Sequence, residues 1–311
     1  MKAAVINQYG QVSDVVTVTD IPVPAVGPQD VLIEVHAAGV NPVDHLIVKG
    51  FMASGELSQP LAIGSEVAGV VAAIGDAVTG FSVGDEVFAR VDPRVGGAFA
   101  EYVSVHTALV AAKPKELSFE EAAALPLVAL TAWQALTEQA KVGAGTRVLI
   151  HGGAGGVGSA AIQIAKHLGA EVVATASADS VDTVRALGAD QVIDYRAEQF
   201  DEVLSDLDVV LDTIGGETQE LSFRVLKSGG TLVSIVPIPD AEAKAARWNV
   251  DARSFYMRPH GEQLARLAAL VESRQLQPIV ERVFPLDETA DALLKVERGG
   301  ARGKTVIGVR S

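Results

Sequence analysis

The sequence predicts an α/β protein of two domains, a doubly wound parallel sheet and a compact antiparallel barrel, on three observations. From 146 to 236, five short apolar runs alternate with stretches of helical spacing, and runs such as Val209-Val-Leu211 are those of strands buried on both faces. Ahead of about Pro114 the chain instead carries short strand-like runs punctuated by Gly and Pro. A length of 311 residues, 49% of them hydrophobic, provides two cores at roughly 100 to 200 residues per domain.

In order, Met1 to Ile6, Val15 to Thr19 and Val31 to Ala37 read as strands, with the Pro-rich turn Ile21 to Pro28 before the third. Ser65 to Gly75 is a strand whose Gly69 marks a bulge or a close backbone approach. Turn signals then introduce strands within 81 to 88 and 96 to 103, and these six or seven short strands imply a barrel. Ser118-Phe-Glu-Glu121 is a capping box that opens an Ala-rich helix, which Pro126 ends or restarts. Strands at 146–151, 171–175, 191–194, 207–212 and 230–236 follow, separated by helices near 157–168, 181–187, 199–204 and 217–226. A helix from about Gly261 to Ser273 closes this domain, and the strand–helix–strand tail (279–284, 286–296, 304–309) rejoins the barrel.

With 25 basic and 39 acidic residues the net charge is -14, which argues against nucleic acid or an anionic membrane as partner. Zero cysteines exclude disulfides, thiolate zinc sites and thiol catalysis. The N-terminus turns polar too soon for a signal peptide, and the most apolar stretch, Ala122 to Leu136, falls short of a membrane span, so the expectation is a cytoplasmic protein.

The stretch 146–169 runs from an apolar strand through five glycines into small and apolar residues at helical spacing. Gly153, Gly155 and Gly158 fit G-x-G-x-x-G, in which the first glycine permits the turn, the second admits a pyrophosphate and the third lets helix pack on strand. Amides at the helix start, through Gly156 and Val157, then face the phosphates. A glycine-rich loop without a ligand is the alternative, but the strand before, the helix after and the strand from Glu171 to Thr175 favour a dinucleotide site.

Taken with Ala38-Gly-Val-Asn-Pro-Val-Asp44, Gly64-Ser-Glu-Val-Ala-Gly-Val-Val71, Gly84-Asp-Glu-Val87, Gly97-Ala-Phe-Ala-Glu-Tyr102 and Gly303-Lys-Thr-Val-Ile307, this turn makes the chain resemble the medium-chain dehydrogenase/reductases. Within them it is similar to the zinc-independent quinone oxidoreductases and alkenal/enone reductases. The resemblance implies a Rossmann-type NADP-binding domain at 118–274 and a GroES-like catalytic domain formed by 1–117 and 275–311. Zinc-dependent members carry a catalytic Cys where this chain has Asn41, a His where it has Ser65, and a cysteine-rich lobe where it has the short loop Arg90 to Gly97. A catalytic zinc needs three protein ligands and an open position, so no metal is expected.

An NAD site places an acid at the end of the second strand, whereas Val172-Val-Ala-Thr-Ala-Ser177 ends in small neutral residues, and NADPH is expected. By resemblance Ser177 and Tyr195 lie at the 2′-phosphate, with Arg196 or Arg185 supplying charge. Ser177 is equally an N-cap and Tyr195 an edge aromatic. The resemblance also puts Thr131, Thr213, Gly215, Ile235, Val236 and Lys304 at the cofactor, though Thr131 equally suits a helix hydroxyl bonded to its own preceding turn.

Substrate-side candidates are Asn41, Asp44, His45 and Phe51 from the barrel and Phe255, Tyr256 and Arg258 from the other domain. Reduction of a quinone or enone leaves an oxyanion that needs donors and then a proton. Asn41 can donate, and His45 or Tyr256 can supply the proton, although bulk water suffices for a quinone. Against these roles, Asn41 suits a turn before Pro42, Asp44 a first-turn helix acid and His45 a surface histidine. The expected activity is hydride transfer from NADPH to a quinone or α,β-unsaturated carbonyl; an enoyl-thioester reductase and a non-catalytic nucleotide-binding protein are the alternatives. A homodimer is expected, with Thr231 to Val236 as the sheet edge or as a covered interior strand.

Overall fold

The computed structural model describes residues 1–310 except 52, 54, 56, 58, 59, 93 and 94. The described chain divides into two compact units, the first Met1–Leu127 with Pro259–Arg274 and the tail from Pro278, the second Val128–Arg258 with Gln275–Gln277. These bounds differ from 117/118 and 274/275 because two helices belong to the first unit. Phe119–Ala123 packs on the strands Asp30–Val40 and Glu66–Ile74, and Gly261–Glu272 packs on Val110–Ala112. Gly261 allows the second contact, since a Cβ there would lie 2.7 Å from the carbonyl oxygens of Ala108 and Val110.

In the first unit the ordered ladder runs Val280–Pro285, Lys304–Gly308, Asp30–Val40, Glu66–Ile74, Glu86–Arg90, Val110–Ala112, with Tyr102–His106 paired to Asp30–Val40. A three-stranded sheet of Thr17–Asp20, Lys2–Ile6 and Leu61–Ala62 accompanies it. Gly69 is a close approach, as expected, because a Cβ would sit 2.0 Å from the Glu34 carbonyl oxygen. Val12–Val15 is a helical turn and the strand begins only at Thr17, although the β-branched residues there read as strand from Val15.

The second unit holds a parallel six-stranded sheet in the order Gln191–Asp194, Glu171–Ala176, Arg147–Ile150, Leu207–Asp212, Leu226–Ser234, Asp251–Ser254. Four of the six strands sit where the alternation of runs placed them. The fifth begins at Leu226 and ends at Ser234 instead of spanning 230–236, and Asp251–Ser254 was not expected. Val148, Leu149, Ile150, Val172 and Val210 are fully buried. Burying each such side chain contributes about 1.5–3 kcal/mol. The stretch 231–234 is interior, and the edge is Asp251–Ser254. Counted in chain order within the sheet the strands run 3-2-1-4-5-6, so the order reverses between Arg147–Ile150 and Leu207–Asp212. Ligands of open parallel sheets bind outside the carboxyl ends of strands at such a reversal. Among the described residues, no helix is long and apolar enough to cross a membrane.

Candidate functional site

At the reversal, the residues just past Ile150 and Asp212 meet: Thr213 Oγ1 donates to the His151 carbonyl at 2.9 Å. The positive φ of the turn falls on Gly152 (67°), where a Cβ would lie 2.8 Å from Thr213 Oγ1. The sequence pattern assigned the turn to Gly153. Gly153 is instead a close-packing glycine, its Cβ position 3.1 Å from Ala174 Cβ and 3.2 Å from Ile162 Cδ1. Gly158 packs helix on turn, since a Cβ would stand 2.2 Å from the Gly152 carbonyl oxygen. Gly155 is the N-cap of Gly156–His167, with extended backbone and no side-chain cap. A Cβ on it would meet only Gly152 O, at 3.3 Å, so the protein itself makes little use of that space. First-turn amides of a helix, here Gly156, Val157 and Gly158, have no intrahelical acceptor and suit a phosphate.

His151, fully buried beside this turn, was not singled out from the sequence. Its Nδ1 lies 3.2 Å from Thr175 Oγ1, which accepts from the Gly152 amide at 3.2 Å, and its Nε2 lies 2.9 Å from Ser222 Oγ. Ser222 donates to the Thr218 carbonyl at 2.7 Å, so its oxygen accepts from His151 Nε2–H and Thr175 donates to Nδ1. Every proton in this chain of bonds is assigned with a neutral imidazole. Burial pushes His151 down to about 4, with the charge of Asp212 opposing.

On the side of strand Glu171–Ala176, Ser177 makes no cap bond, and its Oγ is 3.4 Å from Ser180 Oγ. Tyr195 is 55% exposed, its amide held by the Ala176 carbonyl at 3.2 Å. The Arg196 guanidinium stands 5.6 Å from the Tyr195 ring centroid and makes no ion pair among the described residues. Arg185 is engaged by Asp182 at 2.9 Å.

Across the reversal, Gly215 (φ 79°) ends the turn after Asp212, and a Cβ on it would lie 2.9 Å from Val236 Cγ2, so the loops carrying Thr213, Gly215, Ile235 and Val236 touch. Phe255 continues from the edge strand, its amide donating to Ser234 O at 3.1 Å. Tyr256 is 72% exposed, and Arg258 is paired with Glu138 at 2.7 and 2.8 Å. Thr131 is buried in helix Pro126–Trp133.

The first unit gathers a second polar cluster from residues far apart in the chain. Glu66, fully buried, accepts on Oε1 from Asn41 Nδ2 at 2.6 Å and Lys304 Nζ at 2.7 Å, and on Oε2 from the Leu127 amide at 2.6 Å. Lys304 Nζ also donates to Asn41 Oδ1 at 2.5 Å and Val40 O at 2.9 Å, which uses all three of its protons. Gly39 makes room, because a Cβ there would lie 2.3 Å from Glu66 Oε1. Asp44, in the first turn of helix Pro42–Val48, accepts from the Asn41 amide at 2.8 Å and Ser65 Oγ at 2.7 Å. Burial raises Asp44 to about 6, against the Ser65 hydroxyl bond and the charge of Arg90. His45 has a buried Nδ1 without a hydrogen-bond partner, and burial lowers its pKa. Phe51 is 55% exposed. Glu66 was missed as a site residue, although an acid opening the apolar run Val67 to Val71 must find a partner when buried.

Zinc does not fit this cluster. Asn41 and Glu66 already share an ammonium ion, and Ser65 Oγ is spent on Asp44, so a dication would displace a bonded cation to reach an amide, a hydroxyl and one carboxylate.

A model described as an alcohol dehydrogenase GroES-like domain matches residues 27–115, and one described as zinc-binding dehydrogenase matches 187–307. The chain is 38% identical to the mouse (Mus musculus) NAD(P)H oxidoreductase RTN4IP1, mitochondrial, over 99% of this chain and 89% of that protein. It is 37% identical to the NADPH-dependent alkenal/one oxidoreductase, chloroplastic, of Arabidopsis thaliana, over 99% of this chain and 79% of the relative. Among solved structures, the quinone oxidoreductase from Coxiella burnetii superposes with a TM-score of 0.90 at 36% identity, covering 100% of this chain and 99% of that one. With relatives this similar over nearly its whole length, the chain belongs to the medium-chain dehydrogenase/reductases, in the group of the quinone and alkenal/enone oxidoreductases.

Proposed function

We propose that this chain is an NADPH-dependent, zinc-independent oxidoreductase that reduces a quinone or an α,β-unsaturated carbonyl. The observation that carries the reading is the Lys304 ammonium bonded between Asn41 and Glu66, because that donor set leaves no place for an alkoxide-activating metal. Acceptors polarised by their own conjugation need no such metal. Bound NADPH supplies a hydride from its nicotinamide C4.

The chain's own groups bind, orient and donate. Gly155 leaves space for the pyrophosphate, and the amides of Gly156, Val157 and Gly158 meet its charge. Ser177, Tyr195 and Arg196 hold the 2′-phosphate, a role for which Arg196 is free of any carboxylate among the described residues. Thr131 and the loops of Thr213, Gly215, Ile235 and Val236 hold the nicotinamide end. In the first unit, Asn41 gives one Nδ2 proton to Glu66, while the other, fixed in the same amide plane, has only Gly39 O at 3.5 Å and is left to serve an oxyanion. Lys304 positions Asn41 and Glu66 in place of the cofactor contact expected for it, and Asp44 fixes the Asn41 backbone. His45 or Tyr256 provides the proton, with Phe51, Phe255 and Arg258 on the substrate side. A homodimer in the cytoplasm completes the proposal; gel filtration and cell fractionation test that part.

NADPH oxidation should proceed with benzoquinones, naphthoquinones or alkenals. Turnover confined to enoyl thioesters, or absent with every acceptor, defeats the reading.

A further inference from the structure

Asp212 ends the strand Leu207–Asp212 fully buried, and among the described residues no Lys or Arg pairs with it. Four donors satisfy it instead. Oδ1 accepts from the amides of Ile214 and Gly215, each at 2.9 Å, and Oδ2 accepts from Gln219 Nε2 and Ser234 Oγ, each at 2.8 Å. The single Ser234 proton has a second acceptor at 2.8 Å, the Val236 carbonyl, and the carboxylate is the stronger of the two. Ser234 Oγ in turn accepts from the Val236 amide at 3.1 Å. The Asp212 carbonyl takes the Ile235 amide at 3.1 Å, and Gln219 reaches Pro237 O at 3.4 Å.

One carboxylate thus fixes two loops at once, 213–216 directly and 235–237 through Ser234 and Gln219. Both lie past the carboxyl ends of adjacent parallel strands. Loop backbone groups serve a ligand only if they point the right way before it arrives, and a buried carboxylate with four donors sets that direction at no cost on binding. We propose that Asp212 is the positioning residue of the nicotinamide end, acting through the backbone of 214–216 and 235–237 and not by touching the cofactor. The inference rests on the NADPH reading above and deepens it: the adenosine end is held by other residues, so Asp212 separates the two halves of cofactor recognition.

The test is a fragment comparison. Dissociation constants for NADPH and for adenosine 2′,5′-bisphosphate, which lacks the nicotinamide half, are measured on the unmutated protein, on Asp212→Asn and on Ser234→Ala. Asparagine keeps an acceptor for the two loop amides but offers NH2 to Gln219 and Ser234, while alanine at 234 cuts only the link to the second loop. NADPH binding should weaken about tenfold or more in each variant that folds, with adenosine 2′,5′-bisphosphate within about twofold. The loss should appear in KM for NADPH and in kcat together, and the thermal transition reports folding independently. If Asp212→Asn fails to fold, Ser234→Ala decides alone. Parallel loss of both ligands, or no loss of either, overturns the inference while leaving the NADPH reading intact. An unmutated protein that binds no NADPH defeats both.

Discussion

Lys304 and Glu66, 238 residues apart, share a 2.7 Å charge-assisted bond with side chains only 6% and 0% exposed. Such a pair is costly to break because the remaining charge is stranded. Lys304→Met should destabilise the protein by about 3–5 kcal/mol, and Glu66→Gln by a similar amount. The double variant should be more stable than either single one, since neither member of the pair is then left as a stranded charge. Denaturant unfolding of the four proteins measures this, and a Lys304→Met protein within about 0.5 kcal/mol of the unmutated one would contradict the pairing.

Gly155 and Gly158 belong to one motif but predict different failures. A Cβ at 158 lies 2.2 Å from a backbone oxygen that cannot give way, so Gly158→Ala should damage the fold itself, by about 1–3 kcal/mol from overpacking. A side chain at 155 meets only Gly152 O at 3.3 Å and has an allowed φ of -74°. Gly155→Val should therefore fold and lose NADPH, because its methyls fill the pyrophosphate's space. Circular dichroism paired with NADPH titration separates the two outcomes. A Gly155→Val protein that folds and binds normally removes the cradle.

The parallel sheet is legible in the sequence because strand centres buried on both faces must be apolar, as in Val209–Leu211 and Val172–Ala174. The strand expected from Val15 begins only at Thr17 for a local reason, as the β-branched Val15 and Val16 suit a strand while packing of Val12 and Val15 into the core holds a helical turn. Within His151-Gly-Gly-Ala-Gly-Gly-Val-Gly158, spacing finds the motif but cannot say whether Gly152 or Gly153 takes the positive φ, since both lack a Cβ. Pairings were the least visible. Asp212 meets Ser234 across 22 residues and Glu66 meets Lys304 across 238, and neither partner carries a local pattern that names the other.

His151 gives a pH test confined to one unit. Both tryptophans, Trp133 and Trp248, lie in the second unit, so their fluorescence follows its unfolding. The folded imidazole titrates at about 4 and the unfolded one at 6.5, so the unfolded chain binds the proton first as pH falls. Stability from the neutral His151 is full above pH 6.5 and drains away down to about pH 4, by on the order of 3 kcal/mol. Asp44, raised to about 6, has the opposite sign, favouring the folded state as pH falls from 6 to 3.8, but it sits in the first unit, which holds neither tryptophan. His151→Gln should flatten the fluorescence-detected pH dependence between 4 and 6.5 relative to the unmutated protein. An unchanged slope would show that His151 is not the titrating group.

Arg196 decides between the cofactors if the neutral end of strand Glu171–Ala176 means NADPH. Its guanidinium rests on the exposed Tyr195 ring and, among the described residues, answers to no carboxylate, while Arg185 is occupied by Asp182. NADH carries no 2′-phosphate and gains nothing from that charge. Arg196→Ala should therefore weaken NADPH by roughly tenfold, the value of one charge-assisted contact of about 1.5 kcal/mol at an exposed site, and leave NADH within about twofold. Tyr195→Ala should lose less, because the arginine remains while its stacking support goes. Raising ionic strength should narrow the NADPH preference of the unmutated protein and leave the variant's affinities nearly level, since the contact is open to screening. Equal losses for both cofactors in Arg196→Ala would mean that the residue shapes the site without reading the phosphate. A preference for NADH in the unmutated protein would remove the phosphate from the site altogether.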